Sequence, residues 1–522
     1  MRFLRSLRSV EMTDNDVYML RKLRIFLATI SFILITLLFL DFSGALHAWF
    51  GWMAKLQLVP AMLASSIVIV VAIAVVTVLF GRIYCSVICP LGIYQDGIAH
   101  IAEKRKKNRY SFNRSKKYRY FIALAFFLLI VSDFTNIAIF IEPYSIFGRF
   151  VSNLFSPIYR LINNVLAYFA ERWNSYAFYH VDVYIKSLPI FIISIAYFLI
   201  ITILAVVNGR WYCNNICPVG GVLGVISKFA IFKPHFDEEK CVSCGLCEKN
   251  CRCSAIDAKN HVIDYTKCVT CFNCVSGCKI GAMKYGVKIE NSENSEKTKT
   301  KRSENSENYY NDGKTSRKTF IATIATLAAA STIKAQEKVV DGGLATIEKK
   351  KAPKRVVPIK PAGSGSYGTF SSRCTGCQLC VQSCPNDVLR ASTRLEDLMQ
   401  PEMLYERGYC RPECTACSEV CPTGAIRRVT REEKTSIQIG HAVWIGQNCV
   451  PLRDGISCGN CAKHCPSGAI TMMPYELDNE LSPKVPSINT ERCIGCGACE
   501  HVCPARPFSA IYVEGHLIHR SI

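Results

Sequence analysis

Acidic side chains are in short supply: 41 Asp and Glu face 62 Lys and Arg among 522 residues, a formal net charge of +21. Such a surplus draws a chain toward nucleic acid or an anionic membrane surface. Its placement decides for the membrane, because the basic residues crowd the segments flanking long apolar runs. No nucleic-acid partner is expected. Chemistry-bearing motifs are also missing. No P-loop or catalytic-triad motif appears, so nothing argues for a resident phosphate-transfer or acyl-hydrolysis site. The c-type haem signature CxxCH is absent as well.

Four apolar runs are present, near Ile25–Phe42, Val59–Phe80, Phe121–Ile141 and Leu188–Val207. Each approaches the roughly 20 helical residues that cross a bilayer. Residues 1–24 carry six Lys and Arg, and the stretch Lys104–Arg119 carries nine. The longer loop 142–187 carries four: Arg149, Arg160, Arg172 and Lys186. Basic flanks stay in the cytoplasm. Both ends of the helical unit are therefore expected inside, and loop 142–187 outside.

Residues 291–318, with NSENSEKTKTKRSENSEN, cannot bury apolar surface and read as a linker. SRKTFIATIATLAAASTIKAQ (316–336) follows, with the basic start, apolar middle and small-residue end of an export signal. Its Arg317-Lys318 stands where a twin-arginine signal has two arginines. A short interfacial helix is the alternative reading. A second linker, rich in Pro, Lys, Gly and Ser, runs to about Phe370.

The 29 cysteines come in tight, repeated groups that suit metal clusters better than disulfides. The bacterial ferredoxin run C-x2-C-x2-C-x3-C supplies three thiolates to one [4Fe–4S] cluster and its fourth to the neighbouring cluster. Three pairs of runs follow this plan. The first is Cys241, Cys244, Cys247, Cys251 with Cys268, Cys271, Cys274, Cys278. Arg252 and Lys279 stand where proline usually follows the fourth cysteine. The second is Cys374, Cys377, Cys380, Cys384 with Cys410, Cys414, Cys417, Cys421, one residue longer between its first two cysteines. The third is Cys449, Cys458, Cys461, Cys465 with Cys493, Cys496, Cys499, Cys503, where an insertion follows Cys449. Crossing assigns Cys278, Cys251, Cys421, Cys384, Cys503 and Cys465 to the partner run's cluster. The runs account for 24 cysteines as iron ligands of six [4Fe–4S] clusters. Structural zinc is the competing reading of CxxC, and repeated quartets ending in Cys-Pro argue against it. Cys253 is surplus and reads as a packed thiol.

The remaining four cysteines sit in a duplicated motif. GRIYCSVICPLG (81–92) closes the second apolar run and GRWYCNNICPVG (209–220) closes the fourth. Cysteines four apart share a helical face, so Cys85, Cys89, Cys213 and Cys217 are a possible extra thiol site for a metal or a thiol–disulfide pair. Helix ends terminated at Pro90 and Pro218 are an equally good reading. Asp133 within the third run and Glu142 beyond it are candidate proton acceptors, with snorkelling the simpler account of Asp133. His47, His100 and His180 lie near the membrane edges as possible quinone contacts.

The fold class expected is an α-helical four-span membrane domain followed by α+β bacterial-type ferredoxin domains in three two-cluster units. The boundaries are 1–235 (membrane domain), 236–290 (two-cluster ferredoxin), 291–318 (linker), 319–336 (signal-like segment), 337–369 (linker) and 370–522 (four-cluster module). Four spans with two YCxxxCP motifs and a two-cluster region resemble the NapH family of membrane quinol dehydrogenases over residues 1–290. Residues 316–522 resemble the NapG family, export-signal-bearing proteins with four [4Fe–4S] clusters. The chain looks like a fusion of the two.

The resemblance implies a bacterial inner-membrane protein that oxidises menaquinol or ubiquinol and passes electrons to a periplasmic reductase or electron carrier. The N-terminus and first ferredoxin domain would then be cytoplasmic and the C-terminal module periplasmic. A cytoplasmic C-terminal module facing soluble dehydrogenases is an alternative. So is an assembly or maturation factor, since FixG-type and NosR-type proteins share a similar membrane–ferredoxin core.

Overall fold

The computed structural model describes residues 14–287 and 348–522, apart from 43, 104–109, 176, 352, 477, 478, 480 and 481. The low-complexity linker and the signal-like segment lie outside the described residues.

Among the described residues, two helices have the length and apolar character to cross a membrane: α1 (Asp14–Leu40) over Val17–Leu40, and α4 (Leu188–Asn208). The other two apolar runs give shorter helices than their composition suggests. Val59–Phe80 divides into Leu58–Leu63 and α2 (Ile67–Phe80). Ser65 takes a left-handed φ of 56°, and Ser66 N donates to Ala61 O at 2.9 Å, a helix stop made by local geometry. Phe121–Ile141 likewise yields α3 (Tyr118–Val131), a left-handed Asp133 (φ 61°) and one turn at Thr135–Ala138. Phe134 N closes that stop on Leu129 O at 2.9 Å. Asp133 thus stands on an exposed turn after a helix, not inside a span. Asp tolerates the left-handed region because its side chain can bond locally.

α2 and α4 both end at a glycine of the duplicated motif, Gly81 (φ 77°) and Gly209 (φ 62°). Besides permitting the turn, these glycines let the first ferredoxin domain come close. A Cβ at Gly81 would lie 2.8 Å from Thr270 Oγ1, and one at Gly209 would lie 2.5 Å from Arg252 O.

The ferredoxin domain is framed by an antiparallel pair, Phe232–Phe236 with Met283–Val287, in register Phe232↔Val287 to Phe236↔Met283. In the C-terminal module three such pairs recur: Leu389–Ala391 with Pro401–Met403, Ile470–Pro474 with Lys484–Ile488, and Ile437–Trp444 with Ile511–Ser521. Buried ion pairs fasten its leading segment, Arg355 to Glu500 at 2.6 Å and Lys360 to Asp397 at 2.6 Å.

Residues 1–288 and 352–522 fall in one unit. The two iron–sulfur modules meet α1 near different ends. Leu20, Leu23 and Leu27 line a cavity with Phe272 and Tyr285 of the first ferredoxin domain. Phe39 instead packs where the helix Pro143–Phe150 meets Cys377, since a Cβ on Gly148 would touch both Phe39 (2.7 Å) and Cys377 O (2.7 Å). Leu20 and Phe39 are about 28 Å apart along the helix axis at 1.5 Å per residue. The C-terminal contact is polar and buried. Arg149 is fully buried, with Nε donating to Gly376 O at 3.3 Å and its other nitrogens to Ile139 O and Met399 Sδ. Asn153 Nδ2 donates to Gln378 Oε1 at 2.8 Å, and Gln382 Nε2 to Ser152 O at 2.8 Å.

Candidate iron–sulfur sites

Each of the six runs is built alike. Its first two cysteines lie in extended or turning chain, and its third sits on a single helical turn. Those turns are Leu246–Lys249, Asn273–Ser276, Leu379–Gln382, Ala416–Val420, Asn460–Lys463 and Ala498–Val502, carrying Cys247, Cys274, Cys380, Cys417, Cys461 and Cys499. None of the 29 cysteines is in a disulfide.

In five of the six runs, all but the one that ends at Cys278, the fourth cysteine stands near the other run of its pair. Cys251 stands within electrostatic reach of Cys268, Cys271 and Cys274. Cys421 stands with Cys374, Cys377 and Cys380, and Cys384 with Cys410 and Cys417. In the third pair Cys503 faces Cys449 and Cys461, and Cys465 faces Cys493, Cys496 and Cys499. Despite the insertion after it, Cys449 stays buried beside Cys458 and Cys503; the turn Val450–Arg453 follows it directly, and residues 453–457 are exposed. Cys241 and Cys244 neighbour Cys247. The second and third pairs also touch: Cys410 N donates to Cys496 O at 2.9 Å.

Burial pushes the thiols of Cys251, Cys268 and Cys496 up to about 12, and those of Cys247 and Cys461 to about 11, with adjacent thiols acting in the same direction. Thiolates packed this densely need a cationic core to replace their protons. Among the described residues, no three His, Cys, Asp or Glu side chains converge as a single metal ion requires.

The membrane-edge motif departs from the shared-face expectation. Cys85 lies in the turn Tyr84–Val87, while Cys89 comes after that turn and directly before Pro90, which opens the helix Pro90–Glu103. Cys213 and Cys217 repeat this across Trp211–Asn215 and Pro218–Ser227. Proline excludes the α-conformation at the preceding residue, so the two cysteines of each motif cannot continue one helix. All four are nevertheless buried and stand within mutual reach.

Sequence reading passed over the arginines of the same motif. Arg82 and Arg210 are both fully buried. Arg210 Nη1 donates to Cys85 O at 2.8 Å, and Arg82 Nη2 to Cys213 O at 3.4 Å, so each arginine serves the other repeat. The repetition of G-R-x-Y-C was the available signal. Asp96 balances Arg210 at 2.6 Å and Arg24 at 3.4 Å. Arg252, which replaces the usual proline, pairs with Glu103 at 2.8 Å, and its carbonyl accepts from Arg210 N. The departure from the ferredoxin pattern thus ties that domain to the helix before it. Cys253 is buried, and its carbonyl accepts from Asn214 Nδ2 at 3.1 Å. Glu142 caps Pro143–Phe150, taking the amides of Tyr144 and Ser145. His47 pairs with Asp41 at 3.2 Å, His100 with Glu103 at 3.5 Å, and His180 is exposed.

Comparison with known proteins bears directly on these groups. A model of a 4Fe-4S dicluster domain matches residues 373–425 and 456–506. The ferredoxin-type protein NapG of Escherichia coli K12 is 33% identical over 179 residues, 31% of this chain and 75% of that protein. The chain belongs to the NapG ferredoxin-type family. Further relatives match a similar share of the chain. The methylamine utilization ferredoxin-type protein MauM of Methylobacillus flagellatus is 28% identical over 166 residues, 31% of this chain and 70% of its own. The ferredoxin-type protein NapF of E. coli K12 is 29% identical over 159 residues, 30% of this chain and 87% of its own. A second model, a 4Fe-4S binding domain, matches residues 62–109 and 190–236. No solved structure matches. The chain is accordingly a ferredoxin-type electron-transfer protein carrying [4Fe–4S] clusters, whose chemistry is one-electron exchange.

Proposed function

We propose that the chain takes electrons from a membrane quinol and passes them through six [4Fe–4S] clusters to a terminal reductase or electron carrier. The 24 cysteines of the six runs are the iron ligands, paired by the crossing rule. The observation that carries this reading is the attachment of two iron–sulfur modules near different ends of α1, one beside Leu20 and the other beside Phe39. Such a layout suits transport across the bilayer. The two long apolar helices, the likeness of residues 1–290 to NapH and the basic flanks extend it to an inner-membrane protein. On this reading the first ferredoxin domain is cytoplasmic and the C-terminal module periplasmic.

We assign the quinol to an apolar cavity of about 480 Å³ between α1 and α2. Its walls include Leu23, Leu27, Ala72 and Ile73, its polar members are Arg24 and Tyr84, and Phe272 stands at its end between Cys271 and Cys274. A largely apolar pocket with few polar groups suits a lipophilic ring. Purified chain in liposomes, given menaquinol and a dye acceptor, should bleach its cluster absorption and reduce the dye. Clusters that stay oxidised with quinol in excess would end the proposal.

A further inference from the structure

The 4Fe-4S binding domain model matches two segments, and each contains two cysteines: Cys85 and Cys89 in 62–109, Cys213 and Cys217 in 190–236. A cubane needs four protein thiolates. Neither segment can supply them alone, and the fold brings the two pairs together. We propose that Cys85, Cys89, Cys213 and Cys217 hold one iron–sulfur cluster, shared by the two halves of the duplicated motif, which relays electrons between the first ferredoxin domain and the C-terminal module.

The surroundings are those of an anionic cofactor. Three of the four sulfurs face N–H donors: Gln95 Nε2 to Cys213 Sγ at 3.2 Å, Gly220 N to Cys217 Sγ at 3.4 Å and Arg82 Nη2 to Cys85 Sγ at 3.8 Å. Gln95 and Arg82 are themselves fully buried, and Gln95 Oε1 and Arg82 Nε find no partner. Buried donors aimed at sulfur raise the potential of an iron–sulfur centre and stabilise its reduced form. The crossed arginines, each reaching the carbonyl of the other repeat's first cysteine, clamp the two halves in a fixed relation. Two glycines leave room for the crossed arginines: a Cβ on Gly92 would lie 3.4 Å from Arg210 Nη1, and one on Gly220 2.8 Å from Arg82 Nη2.

Position supplies the role. On one side, Cys253 stands within reach of Arg82 and Arg210, and also of Cys251 and Cys271 of the first ferredoxin domain. On the other, Tyr84 and Tyr212 reach from the four cysteines to Glu142, and Tyr144 reaches from Glu142 to Cys377 and Cys421. The four-cysteine group therefore stands between two modules that meet α1 about 28 Å apart along its axis. Each transfer brings one electron in and sends one out, with no bond made or broken.

This inference rests on the electron-transfer reading, and the test separates the two. Native mass spectrometry and iron and sulfide analysis of the anaerobically purified full chain should give seven clusters, about 28 iron atoms, against about 24 for the six runs alone. The variant Cys85→Ala with Cys213→Ala should lose about four iron and four sulfide. In liposomes its first ferredoxin domain should still be reduced by menaquinol while its C-terminal clusters stay oxidised. A wild-type chain with six clusters and these four cysteines as thiols or a disulfide would overturn the relay and leave the electron-transfer reading intact. That count needs no variant to fold. A chain with no clusters would overturn both.

Discussion

Arg210 donates its Nη1 to the carbonyl oxygen of Cys85, 125 residues away in the chain, at 2.8 Å. This bond joins the second copy of the G-R-x-Y-C motif to the first, and Arg82 returns it to Cys213. An arginine buried this way needs a counter-charge, which Asp96 provides at 2.6 Å.

Asp96 makes the clamp sensitive to acid. Burial alone would raise its pKa, but the Arg210 guanidinium, helped by Arg252 and Arg24, outweighs it and brings the carboxyl down to about 2. An unfolded Asp titrates near 3.9. Its stabilisation is therefore fully present above about pH 4 and is lost as the pH falls through about 2. Asp96→Ala should cost about 3–5 kcal/mol, because Arg210 is left buried and unpaired. Unfolding of the detergent-solubilised protein followed from pH 7 to 2 checks this. A variant as stable as the parent, with the same acid slope, would refute it.

Docking of the C-terminal module depends on Arg149 and Gly148. Arg149→Ala strands the carbonyls of Ile139 and Gly376, at about 1–3 kcal/mol for each buried group. Gly148→Val places carbon against Cys377 O and Phe39. Both variants should expose the 353–522 module to limited proteolysis and slow electron arrival at its clusters, while quinol oxidation at the first ferredoxin domain persists. Proteolytic patterns unchanged from the parent would contradict the contact.

Crossing of the fourth cysteines makes a sharper prediction. Cys421→Ser should disturb the cluster of Cys374, Cys377 and Cys380, and Cys384→Ser the cluster of Cys410, Cys414 and Cys417. Each should lower iron by about one to four atoms per chain, through a three-iron remnant or full loss. Electron paramagnetic resonance of the two variants should remove different signals. The same missing signal in both would refute the crossed arrangement.

Removing the clusters should unfold the modules that hold them. Short strands and single helical turns around buried thiols have little else to keep them in place, and burial pushes those thiols up, to about 12 at Cys251. Oxidative destruction of the clusters followed by chelation should therefore lose visible absorption and the strand signal of circular dichroism together, as metal binding and folding are coupled. Retention of native structure by the metal-free protein would count against this.

Much of the iron–sulfur machinery is legible in the chain because cluster binding dictates spacing: four thiolates must surround one small core, and few linear patterns allow it. Apolar composition was a poorer guide to helix length. The stops at Ser65 and Asp133 depend on left-handed turns that hydropathy does not register, and two of the four expected spans are short for that reason. Pro90 and Pro218 did announce the breaks that separate Cys85 from Cys89 and Cys213 from Cys217. The partners of Arg210 and Arg252, and those of Arg149 other than Ile139, lie about 100 to 250 residues away in the chain, where local pattern carries no information. Arg252 looked like a departure from a motif and acts as a tether to Glu103.

Grouped thiolates in this chain hold iron and sulfide. The most direct test is the metal and acid-labile sulfide content of the full chain purified without oxygen. Iron and sulfide should be present in equal amounts, at least about 24 of each per chain. Zinc in place of iron, or iron with almost no sulfide, would contradict it.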